Sequence, residues 1–358
     1  MSSRPRSLGS IASKLRSRHA RRLGIGAVGV AVIVATFVFV LPRIADYRDV
    51  WAVVKELSWP QIGVLVAVTA LNLATYAPPW QAALPRLSFR NAFVLSMSSS
   101  ASTYLAPGGP AVGVALSYGM LRSWGFRRQD VTLAVALTGT WNQFVMLGLP
   151  SLGLALLTIV GEQRALLKTV ALVALGVFVI AAASYAAGLS SRRLARWAGN
   201  LSARIVSWGL RIFRRGPVSW TGETFAGFRA LAVGLLRRRW HFLTAATLAG
   251  QLTVFLVLLT CLRVFDVSHT QVSVIEAFAA WSLVRLIGSI PITPGGLGIV
   301  ELGLTTALVG FGGGNAQVVT AVLVYRFLTI VPTLLLGLVA GATWKRHRPP
   351  QPLEEGAL

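Results

Sequence analysis

The chain has almost no cysteine and little negative charge. Its single cysteine in 358 residues, Cys261, excludes internal disulfides and any cysteine cluster for zinc or iron. Four histidines (His19, His241, His269 and His347) are scattered, so no metal-ligand spacing arises. No lysine follows a glycine, which excludes the phosphate-binding loop of ATP-hydrolysing proteins, and no Ser/His/Asp or His-Glu-x-x-His grouping occurs. Direct chemistry and a cofactor are therefore not expected. Charged residues make up 13% of the chain, where soluble domains carry about a quarter.

What replaces charge is long apolar sequence. Roughly 20 mostly apolar residues cross a hydrocarbon core of about 30 Å, and runs of that length occur at 23–41, 62–80, 131–160, 169–189, 241–262 and 318–342. The first follows seven basic residues but is too long for a secretory leader and lacks a small-x-small cleavage site, so it reads as an uncleaved anchor. Two further stretches, 92–121 and 272–311, are broken by Pro107-Gly108-Gly109-Pro110 and by Pro294-Gly295-Gly296. The arms of the first hold about 14 and 11 residues, roughly 21 and 16 Å of helix, and cannot span. Both stretches predict broken or re-entrant helix pairs.

The basic residues test this map, because short loops rich in Lys and Arg stay cytoplasmic. With both termini inside, 26 of the 34 basic residues fall on cytoplasmic segments and six outside, while Arg285 and Arg326 lie within apolar stretches. The net charge of +23 is then a leaflet-facing bias, and no nucleic-acid partner is implied. The segments are a basic tail at 1–22, a membrane half at 23–189, a basic cytoplasmic segment at 190–240, a second membrane half at 241–342 and a tail at 343–358. Within 190–240, Leu194, Trp197, Leu201, Ile205, Trp208 and Ile212 recur at steps of 3 or 4 among arginines, the pattern of a helix lying in the membrane interface. Pro217 ends it.

The two breaks resemble each other. Tyr104-Leu105-Ala106-Pro107-Gly108-Gly109 parallels Pro291-Ile292-Thr293-Pro294-Gly295-Gly296 at an offset of 187, with three crossings between them. Three is odd, so the hairpins enter from opposite faces and the halves are inverted. Inverted repeats meeting at discontinuous helices are how many secondary transporters build a site with alternating access. Non-helical backbone at membrane depth survives only when buried in protein or lining a wet cavity. Proline stops the preceding helix, glycine admits φ > 0 and close approach, and the following helix N-terminus attracts an anionic group.

Arg285, Glu301 and Arg326 are ionisable groups at membrane depth, where an unpaired charge costs at least about 2.5–3.5 kcal/mol. Folding of the second hairpin brings Glu301 towards Arg285 in depth, and Arg326 is the other counter-ion. A structural ion pair or an Arg that grips phosphate while Glu301 exchanges partners both fit. The hydroxyls of Ser96, Ser98, Ser99, Ser100, Ser102 and Thr103 line a polar path or serve close packing. Asn72, Asn142, Gln143 and Gln251 fit interhelical hydrogen bonds.

Pro291-Ile292-Thr293-Pro294-Gly295-Gly296-Leu297-Gly298 with Glu301, followed by Tyr325-Arg326, Pro332 and Gly337, resembles the signature of the lysylphosphatidylglycerol synthase transmembrane, flippase-like family. Members often carry Pro-Gly-Arg and a Gly-Glu pair in the first hairpin, where this chain has Gly109, Ala111 and Val112. The resemblance implies movement of a lipid or lipid-linked headgroup between leaflets. Full synthases add a soluble aminoacyl-transferase domain; the chain ends 16 residues after the last apolar run, so lysyl transfer is not expected.

The sequence thus predicts an all-α polytopic protein of a bacterial plasma membrane, with about six full crossings, two broken hairpins in inverted arrangement and both termini inside. The expected activity is flipping an anionic or polyprenyl-linked lipid, with Arg285, Glu301 and Arg326 recognising charge and Pro107, Gly108, Gly109, Pro294, Gly295 and Gly296 forming the gate. The rival reading is a non-transporting membrane partner that presents lipid to a separate glycosyl- or aminoacyl-transferase.

Overall fold

A computed structural model describes residues 55–105, 109–159, 165–212, 222–290 and 293–347. The first predicted crossing, Pro107, Gly108, Pro217, the basic tail at 1–22 and the C-terminal tail beyond His347 lie outside the described residues. Among the described residues there are helices and no strands: α1 (Trp59–Ala74), α2 (Pro78–Ala83), α3 (Phe89–Leu105), α4 (Gly109–Ser123), α5 (Arg128–Ile159), α6 (Ala165–Ser190), α7 (Arg192–Ile212), α8 (Gly222–Val264), α9 (Val274–Gly288), α10 (Ile299–Phe311) and α11 (Asn315–Thr343). Short 3₁₀ turns occupy Pro294–Gly296 and Trp344–His347.

Five helical segments are long and apolar enough to cross a membrane: Trp59–Ala83, Arg128–Thr158, Leu172–Ser190, Phe225–Val264 and Asn315–Thr343. They coincide with the five predicted crossings that fall among the described residues. The broken stretches resolve into α3 with α4 and α9 with α10, of 17, 15, 15 and 13 residues. At 1.5 Å per residue the longest reaches about 26 Å, short of the hydrocarbon core. On α6, nothing in the Leu172–Ser190 stretch is buried, and Leu172 and Ile180 are 70% and 68% exposed. An apolar face of that extent is compatible with lipid and not with water.

One crossing begins earlier than its hydropathy suggests. Helix α8 starts at Gly222, inside the segment read as cytoplasmic to residue 240. The reason is an apolar stripe, Phe228, Ala232, Leu235 and Leu236, that continues into Leu243 and packs with Ala82, Leu137 and Leu189. Arg229 also donates from Nε to the Leu189 carbonyl at 2.6 Å and from Nη2 to that of Ser190 at 2.9 Å, satisfying the end of α6.

Helix α8 lies at the centre and packs against α1, α2, α5, α7 and α11. Each hairpin's first arm leans on the long helix that follows the other hairpin, α3 on α11 and α9 on α5. Glycine permits both crossings: a methyl on Gly337 of α11 would overlap Ala101 and the Met97 backbone of α3, and one on Gly153 of α5 would touch Ala279 of α9 at 3.0 Å. In the serine run, Ser96, Ser98, Ser99, Ser102 and Thr103 all donate to backbone carbonyls, mostly of their own helix.

Candidate functional site

The second break is a tight turn built on left-handed backbone. Gly295, Gly296 and Gly298 have φ of 61°, 68° and 81°, a region costly to residues with a Cβ. Gly296 N–H donates to the Thr293 carbonyl at 3.1 Å, and Glu301 reaches back from the first turn of α10 to accept from Gly298 N–H at 2.7 Å.

Arg326 binds this turn to α11. Its Nε donates to Glu301 Oε1 at 2.5 Å and its Nη2 to the Gly295 carbonyl at 2.9 Å. Only 6% of the Arg326 side chain and 16% of that of Glu301 are exposed. The pair therefore clamps the hairpin in a low-dielectric setting, where a charge without its partner is costly.

Arg285 does not join it. Its Nε donates to Gln251 Oε1 at 2.9 Å, and Gln251 Nε2 donates to Asn142 Oδ1 at 2.8 Å, a relay from α9 through α8 to α5. The guanidinium sits 5.7 Å from the Trp281 ring centre, and Trp281 Nε1 donates to the Tyr325 hydroxyl at 3.3 Å. Arg285 is half-buried, and among the described residues no carboxylate pairs with it. Its two Nη groups form a held fork, the geometry that takes phosphate or carboxylate by two parallel hydrogen bonds.

The end of α3, just ahead of the first break, comes to the same place. The Tyr104 ring lies directly on Gly295, where a methyl would overlap it, and α3 contacts the Pro294–Gly296 turn. Ala101, Tyr104 and Leu105 cluster with Leu297, Phe327, Ile330 and Leu334. Gly109 is buried against Ser102, whose hydroxyl donates to the Gly109 carbonyl at 2.9 Å. Tyr104 is within electrostatic reach of Arg285, Arg326, Tyr325 and Glu301, and Tyr76 within reach of Tyr104 and Arg285. Both tyrosines are half-buried. Next to the turn, the buried Thr293 hydroxyl has no hydrogen-bond partner among the described residues, a situation costing about 1–3 kcal/mol.

Of the residues singled out by sequence, Gly295, Glu301 and Arg326 form one network, Pro294 and Gly296 shape its turn, Gly109 seats the first hairpin, and Arg285 stands apart on its own relay. Tyr76, Tyr104, Trp281 and Tyr325 are not among the site residues the sequence suggests, although Tyr104 stands in the first break's motif three residues before Pro107 and Tyr325 adjoins Arg326. Among the described residues no three His, Cys, Asp or Glu side chains are grouped to hold a metal ion.

No curated protein matches the chain. The sequence profile described as lysylphosphatidylglycerol synthase TM region matches residues 26–337. That match covers most of the chain and all the elements that form the site, so this multi-pass membrane protein belongs to the family of the lysylphosphatidylglycerol synthase transmembrane region.

Proposed function

We propose that the protein moves an anionic lipid, or a polyprenyl-linked molecule with an anionic head, between the leaflets of a bacterial plasma membrane without altering it chemically. The observation that carries this reading is the approach of the two hairpins, the end of α3 meeting the second break through Tyr104 on Gly295, within electrostatic reach of Arg285. Embedded charge and irregular backbone are costly in a membrane and are retained where a polar group must pass. Arg285 takes the phosphate, while the Arg326–Glu301 pair holds the hairpin that shapes the passage.

The proposal includes inverted halves, and matched backbone features support them. Gly125 and Gly312, 187 residues apart, both have positive φ, at 92° and 121°. Phe126 N–H bonds to the Leu121 carbonyl as Gly313 N–H bonds to that of Leu308, again 187 apart. Helices α5 and α11 then begin at Arg128 and Asn315, the same separation. The exchange of partners, α3 with α11 and α9 with α5, is what a two-fold axis in the membrane plane would generate.

The test is reconstitution in liposomes carrying headgroup-labelled phosphatidylglycerol. The parent chain is expected to expose label from the inner leaflet to a membrane-impermeant quencher, and Arg285→Ala to slow this at least about ten-fold while remaining folded, since it removes charge-assisted hydrogen bonds. A parent chain that moves neither this lipid nor a polyprenyl phosphate, and that co-purifies with a membrane transferase, refutes transport in favour of the partner role.

A further inference from the structure

Helix α7 divides into three sectors. One sector packs on the protein: Ala195 and Gly199 are buried, Gly199 lies against Phe225, and Asn200 Oδ1 accepts from Gly222 N–H at 2.9 Å. Arg192 and Arg196 belong beside it, since both pair with Glu223 of α8, at 3.2 and 2.6 Å. The second sector is an apolar stripe left without protein cover, with Leu194, Trp197, Leu201 and Trp208 at 43%, 62%, 39% and 68% exposure. The third is basic. Arg193 and Arg204, separated by 11 residues and hence on one row of an α-helix, are exposed along the edge of the stripe, with no acidic partner among the described residues.

We infer that α7 is an anionic-lipid docking surface in which Arg193 and Arg204 bind phospholipid headgroups while Trp197 and Trp208 insert beside the acyl chains. Of the four α7 arginines whose side chains are described, two have an acidic partner on α8, and the two without one border the uncovered apolar stripe; charge and apolar surface together fit a phosphate-bearing interface. Because α7 is tied to the start of α8 by Glu223 and Phe225, and α8 carries Gln251 of the Arg285 relay, headgroups collected on α7 lie against the helix that reaches the proposed passage. The surface stands whether or not the chain transports lipid.

The experiment uses the full chain with Cys261→Ala and a bimane label on Leu201→Cys, reconstituted in phosphatidylcholine vesicles containing traces of nitroxide-labelled phosphatidylglycerol or nitroxide-labelled phosphatidylcholine. The anionic probe is expected to quench at least about five-fold more effectively, the factor that one arginine near a charged surface provides, and the excess to fall with salt. Arg193→Gln with Arg204→Gln should abolish the preference, and Arg196→Gln should retain it. Equal quenching by the two probes in the parent chain overturns the proposal, as does loss of preference in Arg196→Gln with none in the double variant. Absence of quenching by either lipid places the stripe against something other than membrane and also overturns it. Thermal unfolding of each variant distinguishes lost recognition from lost fold.

Discussion

Replacing Arg326 by Met tests whether its ion pair with Glu301 is architecture. Removing one member of a buried pair costs about 3–5 kcal/mol, because the other charge stays behind. Glu301 keeps Gly298 N–H and 16% of its surface, which draws the cost towards the lower end, while the Gly295 carbonyl loses its donor, which adds about 1–3 kcal/mol. The balance is about 4 kcal/mol. Glu301→Leu leaves Arg326 charged at 5% exposure and should cost at least as much. The double variant Arg326→Met/Glu301→Leu removes both charges, and apolar side chains of similar size replace a buried pair at little cost. What remains is the unpaired Gly295 carbonyl, about 2 kcal/mol, against roughly 8 if the single effects added. Thermal unfolding in one detergent, followed by tryptophan fluorescence, gives the four members of the cycle. Single effects that add within about 0.5 kcal/mol would refute the clamp, since residues in contact must couple.

Three other outcomes follow from the same geometry. Gly295→Ala should destabilise by about 1–2 kcal/mol from backbone strain alone and by more from overlap with Tyr104; Tyr104→Ala should recover the second part only, as unfolding temperatures would show. Gly337→Val should separate α11 from α3 and cost about 1–3 kcal/mol or more, measured in the same way, whereas Gly119→Ala, where nothing lies near the added methyl, should be neutral or stabilising. The folded double variant Arg326→Met/Glu301→Leu should still move labelled lipid in liposomes, whereas Arg285→Ala should not.

Much of this architecture is legible in the sequence because a membrane imposes length. Uncharged runs of some 20 residues have few alternatives to crossing, and Pro-Gly-Gly inside an apolar stretch has few alternatives to a break. The start of α8 is not legible in the same way. Arg237, Arg238 and Arg239 read as the end of a loop, yet the helix runs straight through them, with Arg237 and Arg238 exposed while Ala232 and Leu236 are buried. The partner of Arg285 is hidden for a different reason. Opposite charge favours Glu301, but which way each helix faces is set by packing, and that turns Arg285 to Gln251 and leaves Glu301 to Arg326. The serines read first as packing and second as a polar path, and only the structure shows their hydroxyls turned to backbone carbonyls.

The central claim is that two breaks entering from opposite faces share one water-filled hollow. Its most direct test places Leu105→Cys or Leu297→Cys in a Cys261→Ala chain and adds a charged thiol reagent to one side of sealed vesicles at a time. Each cysteine is predicted to react from one side only, the two from opposite sides, and a short bifunctional reagent should join them in the double-cysteine chain. Two cysteines that react from the same side, or that stay unreactive from both, would contradict the account.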